Sequence, residues 1–112
     1  MENIIEEVLD STKWIKNIAF HEEGVMLLTG GLKKLRYRDL TKILVVTTDQ
    51  GPDDVDYFLV LETPEMVAII PQNVLEFDKL LEELQELPRF NEDVIDKASE
   101  SDENNVFTCW KK

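Results

Sequence analysis

Thr41-Lys42-Ile43-Leu44-Val45-Val46-Thr47-Thr48 is β-branched and apolar on both alternating faces. In a strand, Ile43 and Val45 would project to one side and Leu44 and Val46 to the other. Both sides must then be covered, which places this segment in the middle of a sheet. The segment cannot extend far. Asp39 precedes it, and Asp49-Gln50-Gly51-Pro52-Asp53-Asp54, dense in turn formers, follows it as a loop.

Working outward, residues 57–61 and 66–70 are two further apolar strands, joined by Glu62-Thr63-Pro64-Glu65 as a hairpin. Upstream, residues 32–38 alternate, with Leu35 and Tyr37 on one face and Lys34, Arg36 and Arg38 on the other, as a half-buried strand requires. Gly30-Gly31 separates that strand from residues 25–28. These pair with residues 15–20 across His21-Glu22-Glu23-Gly24 as a hairpin, and residues 106–110 form a last strand.

Helical spacing occurs in three places. Ile4, Ile5, Val8 and Leu9 lie at i, i+1, i+4 and i+5, forming a short amphipathic helix that should dock on the sheet. Phe77, Leu80, Leu81, Leu84 and Leu87 make one stripe, with Asn73 and Glu76 spaced as a capping box and Pro88 as terminator. Asn91 is placed to cap a second helix whose first turn carries Glu92 and Asp93 and whose inner face is Val94, Ile95 and Ala98. The expectation is one α+β domain over residues 1–112. It consists of a predominantly antiparallel sheet or half-barrel of about seven strands, packed by a C-terminal helical pair and a short N-terminal helix.

The 112 residues are 43% apolar, enough for one core. They carry a formal net charge of −12, and the charge is uneven. Residues 1–48 hold seven acidic and seven basic side chains, whereas residues 49–103 hold seventeen acidic and three basic. Such a field opposes nucleic-acid phosphate and anionic lipid and favours basic partners. The expectation is therefore a partner that is a basic protein, with no nucleic acid and no membrane. Acidic residues stand at the start of the chain where a secretory leader would be basic, so an unprocessed cytoplasmic protein is expected.

Catalytic patterns are missing. There is one histidine, no Gly-rich phosphate loop, no nucleophile elbow and no metal-ligand spacing, so neither an enzyme nor a metal or other cofactor is expected. Asp49, Asp53, Asp54 and Asp56 invite a calcium loop, but Val60 stands where that pattern needs glutamate. His21 reads as an exposed turn residue, and the lone Cys109 as a small core or edge residue rather than a nucleophile. Trp14 and Trp110 read as core or sheet-flank anchors, since a base-stacking platform needs surrounding positive charge. The stripe Lys33, Lys34, Arg36, Arg38, Lys42 could hold an anionic headgroup. Pairing with the chain's own carboxylates or plain solvation competes with that reading.

Phe20-His21-Glu22-Glu23-Gly24-Val25, then Leu35-Arg36-Tyr37-Arg38-Asp39-Leu40, then LPRFNEDVIDKASESDENNVFTCW over residues 87–110 resemble a loosely defined group of small bacterial proteins. Several members of that group look like immunity partners of polymorphic or contact-dependent toxins, and some resemble pleckstrin-homology-like half-barrels. The resemblance implies a toxin-neutralising binding role without specifying the toxin.

Charge and resemblance together predict an acidic binding protein, an immunity protein for a basic, nuclease-type toxin domain. The partner-binding residues expected are Asp53, Asp54, Asp56, Glu92, Asp93, Asp96, Glu100, Asp102 and Glu103. The alternatives are a homo-oligomeric module, such as a homodimer through the apolar sheet face or the first helix, and a small anionic-ligand binder at Lys34, Arg36 and Arg38.

Overall fold

The computed structural model describes residues 4–49 and 55–112. Their order is helix α1 (Ile4–Leu9), strands β1 (Asn17–His21), β2 (Gly24–Leu28), β3 (Leu32–Arg36), β4 (Lys42–Thr47), β5 (Tyr57–Glu62) and β6 (Val67–Pro71), helices α2 (Phe77–Leu84) and α3 (Glu92–Ser99), and strand β7 (Asn105–Lys111). The fold is a mixed α+β one in which the seven strands form two open antiparallel sheets: β1-β2-β3, and β6-β5-β4-β7.

β4 lies inside the larger sheet, as its two-sided apolar sequence requires. Val45 faces Leu59 of β5 on one side and Phe107 of β7 on the other. One face of this sheet, with Ile43, Val45, Leu59, Leu61 and Ile70, packs on Leu80 and Leu84 of α2, Ala98 of α3, and Val25, Leu27 and Leu35 of the small sheet. The opposite face, with Leu44, Val46, Phe58, Val60 and Ile69, is covered by Val8 of α1, flanked by Ile4, Ile5 and Trp14. Leu9, grouped with that apolar face by spacing, is instead 43% exposed, because the chain turns at Asp10 into a 3-10 turn over Ser11–Lys13.

The two sheets are joined by the lead-in to β1. The Ile15 amide donates to the Ile69 carbonyl at the edge of β6 (2.8 Å), and the Lys16 amide donates to Leu28 in the small sheet (2.9 Å). This contact covers part of an edge that would otherwise offer unpaired backbone groups. β2 and β3 approach closely at Gly24, where a Cβ would stand 2.1 Å from the Leu35 carbonyl oxygen, so no larger residue fits.

The structure departs from the sequence expectations at several points. Residues 37–39 leave the β3 strand as a 3-10 turn, so Arg38 does not continue the Lys34/Arg36 row. The turn is held by the Tyr37 amide on the Glu23 carbonyl (2.9 Å) and by the Tyr37 hydroxyl on Glu83 of α2 (2.9 Å). The Asn73/Glu76 capping box does not form. Glu76 takes a left-handed conformation (φ 72°) that starts the helix at Phe77, while Val74 packs inward. α2 ends at Leu84, and Leu87 reaches the core from the following turn. Asn91 does precede α3, but its side chain makes no capping bond; its amide donates to Cys109 of β7 (2.8 Å). His21 closes β1 half-buried rather than exposed, with Nδ1 accepting from the Glu23 amide (3.1 Å).

Candidate functional site

The acidic end of the molecule is assembled by the backbone before any side chain is considered. β4 finishes at Thr47, β5 begins after Asp56, α3 finishes at Ser99, and β7 begins at Asn105. The antiparallel pairing of Thr47 with both Tyr57 and Asn105 brings these termini together. Thr47, 1% exposed, fastens the α3–β7 loop: its hydroxyl lies 3.0 Å from that of Ser101 and donates to the Glu103 carbonyl at 2.8 Å. Asn105 Nδ2 donates to Ser101 Oγ (3.1 Å), and the Asp49 amide donates to Asn104 Oδ1 (3.0 Å). The Thr48 amide is held by the Asp56 carbonyl (2.9 Å). Asp56, Glu100, Asp102 and Glu103 are thus gathered at one end by a hydrogen-bonded frame. Without that frame they would repel one another into a loose loop.

Glu92 and Asp93 occupy the far end of α3, in its first turn, where the partial positive charge of the helix end favours them. A helix of this length places them about 10 Å from Glu100, so the acidic surface runs along α3 from one end to the other. Glu92, Asp93, Asp96, Glu100, Asp102 and Glu103 are all exposed, and Asp56 is half-buried. Among the described residues none of the seven enters an ion pair; Lys97 is the one basic side chain in residues 92–103. Asp53 and Asp54 lie outside the described residues.

The basic stripe has a different character. Lys34 and Arg36 both turn toward Glu23 at the β1–β2 turn, at 3.8 and 3.3 Å. The acid that would compete with an anionic ligand is therefore already in place, although such exposed pairs are individually weak.

Beside the acidic end lies a cleft of about 310 Å³ between α2, α3 and the start of β5. Its wall is Phe77, Leu81, Ile95 and Ala98, and its rim carries Asp56, Gln72, Asp78, Ser99 and Ser101. Tyr57 also lines it, 8% exposed, with its ring edge-on to Phe77 at 6.2 Å. Burial, then the nearby Cys109 and Asp96, push the Tyr57 hydroxyl up to about 12, so it stays protonated and can donate. In the sequence Tyr57 is only the first position of a strand and Asp78 a position within the helical stripe from Phe77, and nothing singles out Gln72. Their convergence is tertiary, and the one local signal is a tyrosine hydroxyl opening an otherwise apolar strand.

Cys109 is 1% exposed, and burial pushes its thiol up to about 11 against a Val45 backbone hydrogen bond that pulls the other way. A protonated, enclosed thiol is not a nucleophile at neutral pH. Both tryptophans act as anchors: Trp14 Nε1 donates to the Val8 carbonyl of α1 (2.6 Å), and Trp110 Nε1 donates to Pro88 between α2 and α3 (2.9 Å). Among the described residues no three His, Cys, Asp or Glu side chains converge as a metal site needs, and no helix is long and apolar enough to cross a membrane. No protein-family model, curated protein or solved structure matches the chain.

Proposed function

We propose that this chain is a non-catalytic acidic binding protein that acts as an immunity protein, occluding a basic, nuclease-type toxin domain with the surface of α3 and the α3–β7 loop. The observation that carries this reading is the run of exposed carboxylates Glu92, Asp93, Asp96, Glu100, Asp102 and Glu103, none ion-paired among the described residues. Carboxylates held together in this way cost electrostatic self-repulsion, which an oppositely charged partner relieves on binding. A nuclease active site is built to hold phosphate, so a row of fixed carboxylates competes for the same cationic groups. Complementary charge also speeds encounter, which suits an inhibitor that must capture its target before damage is done.

The test is growth protection and pull-down with the product of the reading frame adjacent to this one. It is run with the wild-type chain and with the triple variant Asp93→Lys, Asp96→Lys, Glu100→Lys. All three positions are exposed, and a lysine in the first turn of α3 costs only up to about 1 kcal/mol, so the change is chiefly one of surface charge, with folding checked by circular dichroism. The expected result is protection by wild type and its loss in the variant, with affinity lower by about 100-fold or more. Unchanged protection and capture by the variant would remove this face as the interface.

A further inference from the structure

The cleft beside the acidic end has features that the exposed carboxylates alone do not explain. Its wall of Phe77, Leu81 and Ile95 is apolar and suits the methylene stem of a long side chain. Tyr57 is more than nine-tenths buried, yet its hydroxyl has no hydrogen-bond partner among the described residues and is not sealed off from the cleft that Tyr57 lines. The ring is enclosed while the hydroxyl stays open at the cleft, free to pair with a polar group that enters.

The charge around this hydroxyl has one sign. Asp56 and Asp78 stand on the rim, and Asp96 is close enough to act on the Tyr57 hydroxyl. The C-terminal end of α3, at Ser99, adds the partial negative charge of its last carbonyls. The N-terminal end of α2 opposes this with a partial positive charge, which the full charge of Asp78 in that first turn exceeds. Two lysines adjoin lining residues in sequence: Lys79 is directed to the ring of Phe20 on β1, 4.5 Å from its centroid, and Lys97 is exposed on α3 and does not line the cleft. Among the described residues no lysine, arginine or histidine lines the cleft.

We propose that this cleft receives an arginine side chain of the basic partner protein. The stem would lie over Leu81 and Ile95, the guanidinium plane would rest against the Phe77 and Tyr57 rings, and its N–H groups would donate to Asp56, Asp78 and the Tyr57 oxygen. Arginine fits better than lysine because its flat, delocalised head stacks on aromatic rings and presents five donors in a fixed fork. This inference rests on the reading of the α3 face as a docking surface for a basic protein. It adds the buried anchor such an interface needs, since exposed charge pairs alone steer association more than they hold a complex.

The probe is N-acetyl-arginine methylamide, titrated into the isotope-labelled full chain while amide shifts are followed, with the neutral citrulline analogue as control. The expected result is a set of shifts centred on Tyr57, Asp78, Ile95 and Ser99, with a dissociation constant on the order of 1 mM, as a ligand this small allows. Citrulline should bind about tenfold more weakly or not at all. Ser99→Trp, at an exposed position on the rim, fills the cleft without changing charge and should abolish the shifts while leaving the remaining spectrum intact. Tyr57→Phe should weaken binding severalfold. Equal shifts with citrulline, shifts spread evenly out to Glu92 and Asp93, undiminished binding in Ser99→Trp, or no shifts at all would each overturn the proposal. The two readings fail separately. A basic partner that still binds with strong salt dependence while free arginine ignores the cleft defeats the anchor alone. Arginine held in the cleft with no basic protein captured defeats the docking role alone.

Discussion

Cys109, Tyr57 and Tyr37 make the interior sensitive to alkali. For each, burial is the first cause of a raised value: Cys109 from 9.0 to about 11, Tyr57 from 10.0 to about 12, and Tyr37 in the same direction, helped by its hydrogen bond to Glu83. A group whose folded value lies above its unfolded one favours the protonated form in the native state. Its contribution is therefore complete below the unfolded value and is lost as pH climbs through the folded value. Urea midpoints should hold steady up to about pH 9 and then fall toward pH 11, with Cys109 alone accounting for up to about 2 kcal/mol. In Cys109→Ala the decline should begin about one pH unit later, where the tyrosines start to titrate. A wild-type midpoint that is flat from pH 9 to 11 would contradict the burial of these groups. Thr47 belongs to the same scale. Thr47→Val keeps the shape but removes the Thr47 bonds to the Ser101 hydroxyl and the Glu103 carbonyl, which should cost about 1–2 kcal/mol in chemical denaturation, although Asn105 still holds Ser101. The pair Thr47-Thr48 was visible in sequence as the polar end of an apolar run. That it fastens a loop more than fifty residues away was not, because nothing local encodes a contact of that range.

Among the elements, the strands were the most legible. Their period of two is written into the side chains, and β4 announced its interior place by being apolar on both faces. How the strands divide between two sheets was not legible, since the partition depends on where residues 14–16 cross from the edge of β6 to β2. The capping signals failed for a physical reason as well. Asn73 and Glu76 have the right spacing, but Val74 gains more by entering the core than Asn73 would by capping, and Glu76 turns left-handed to allow it. α1 illustrates marginal order: its six residues are too few to hold a helix by themselves. It is retained by Val8 on the sheet and by the bond from Trp14 Nε1 to the Val8 carbonyl, with the Trp14 ring 5.0 Å from that of Phe58. Trp14→Phe should therefore cost about 1 kcal/mol and raise amide exchange in α1 well before α2 responds. Leu80→Ala, in the middle of α2 and fully enclosed, should cost about 2–5 kcal/mol and loosen the whole molecule. Equal exchange in α1 and α2 after the Trp14 change would show that α1 is held by something else.

At the scale of the whole molecule, charge organises what packing leaves open. The net −12 resolves into a balanced first half, whose Lys34 and Arg36 meet Glu23, and an acidic second half whose end is framed by Thr47, Ser101 and Asn104. The imbalance was legible by counting. That Asp56, Glu100, Asp102 and Glu103 meet at one end was not, because β4, β5, α3 and β7 reach that end from separate parts of the chain. Copies carrying this charge repel one another, so sedimentation at low ionic strength should give a monomer at both dilute and concentrated protein. Self-association that strengthens as salt is removed would run against that. The most direct measurement of the central claim is the affinity for the product of the adjacent reading frame as a function of salt, for wild type and for the Asp93→Lys, Asp96→Lys, Glu100→Lys variant. Docking of a basic protein on the α3 face predicts wild-type affinity that falls steeply between low and physiological salt, and a variant that binds weakly with a flat or inverted salt response. A complex whose affinity is indifferent to salt and to those three substitutions would contradict it.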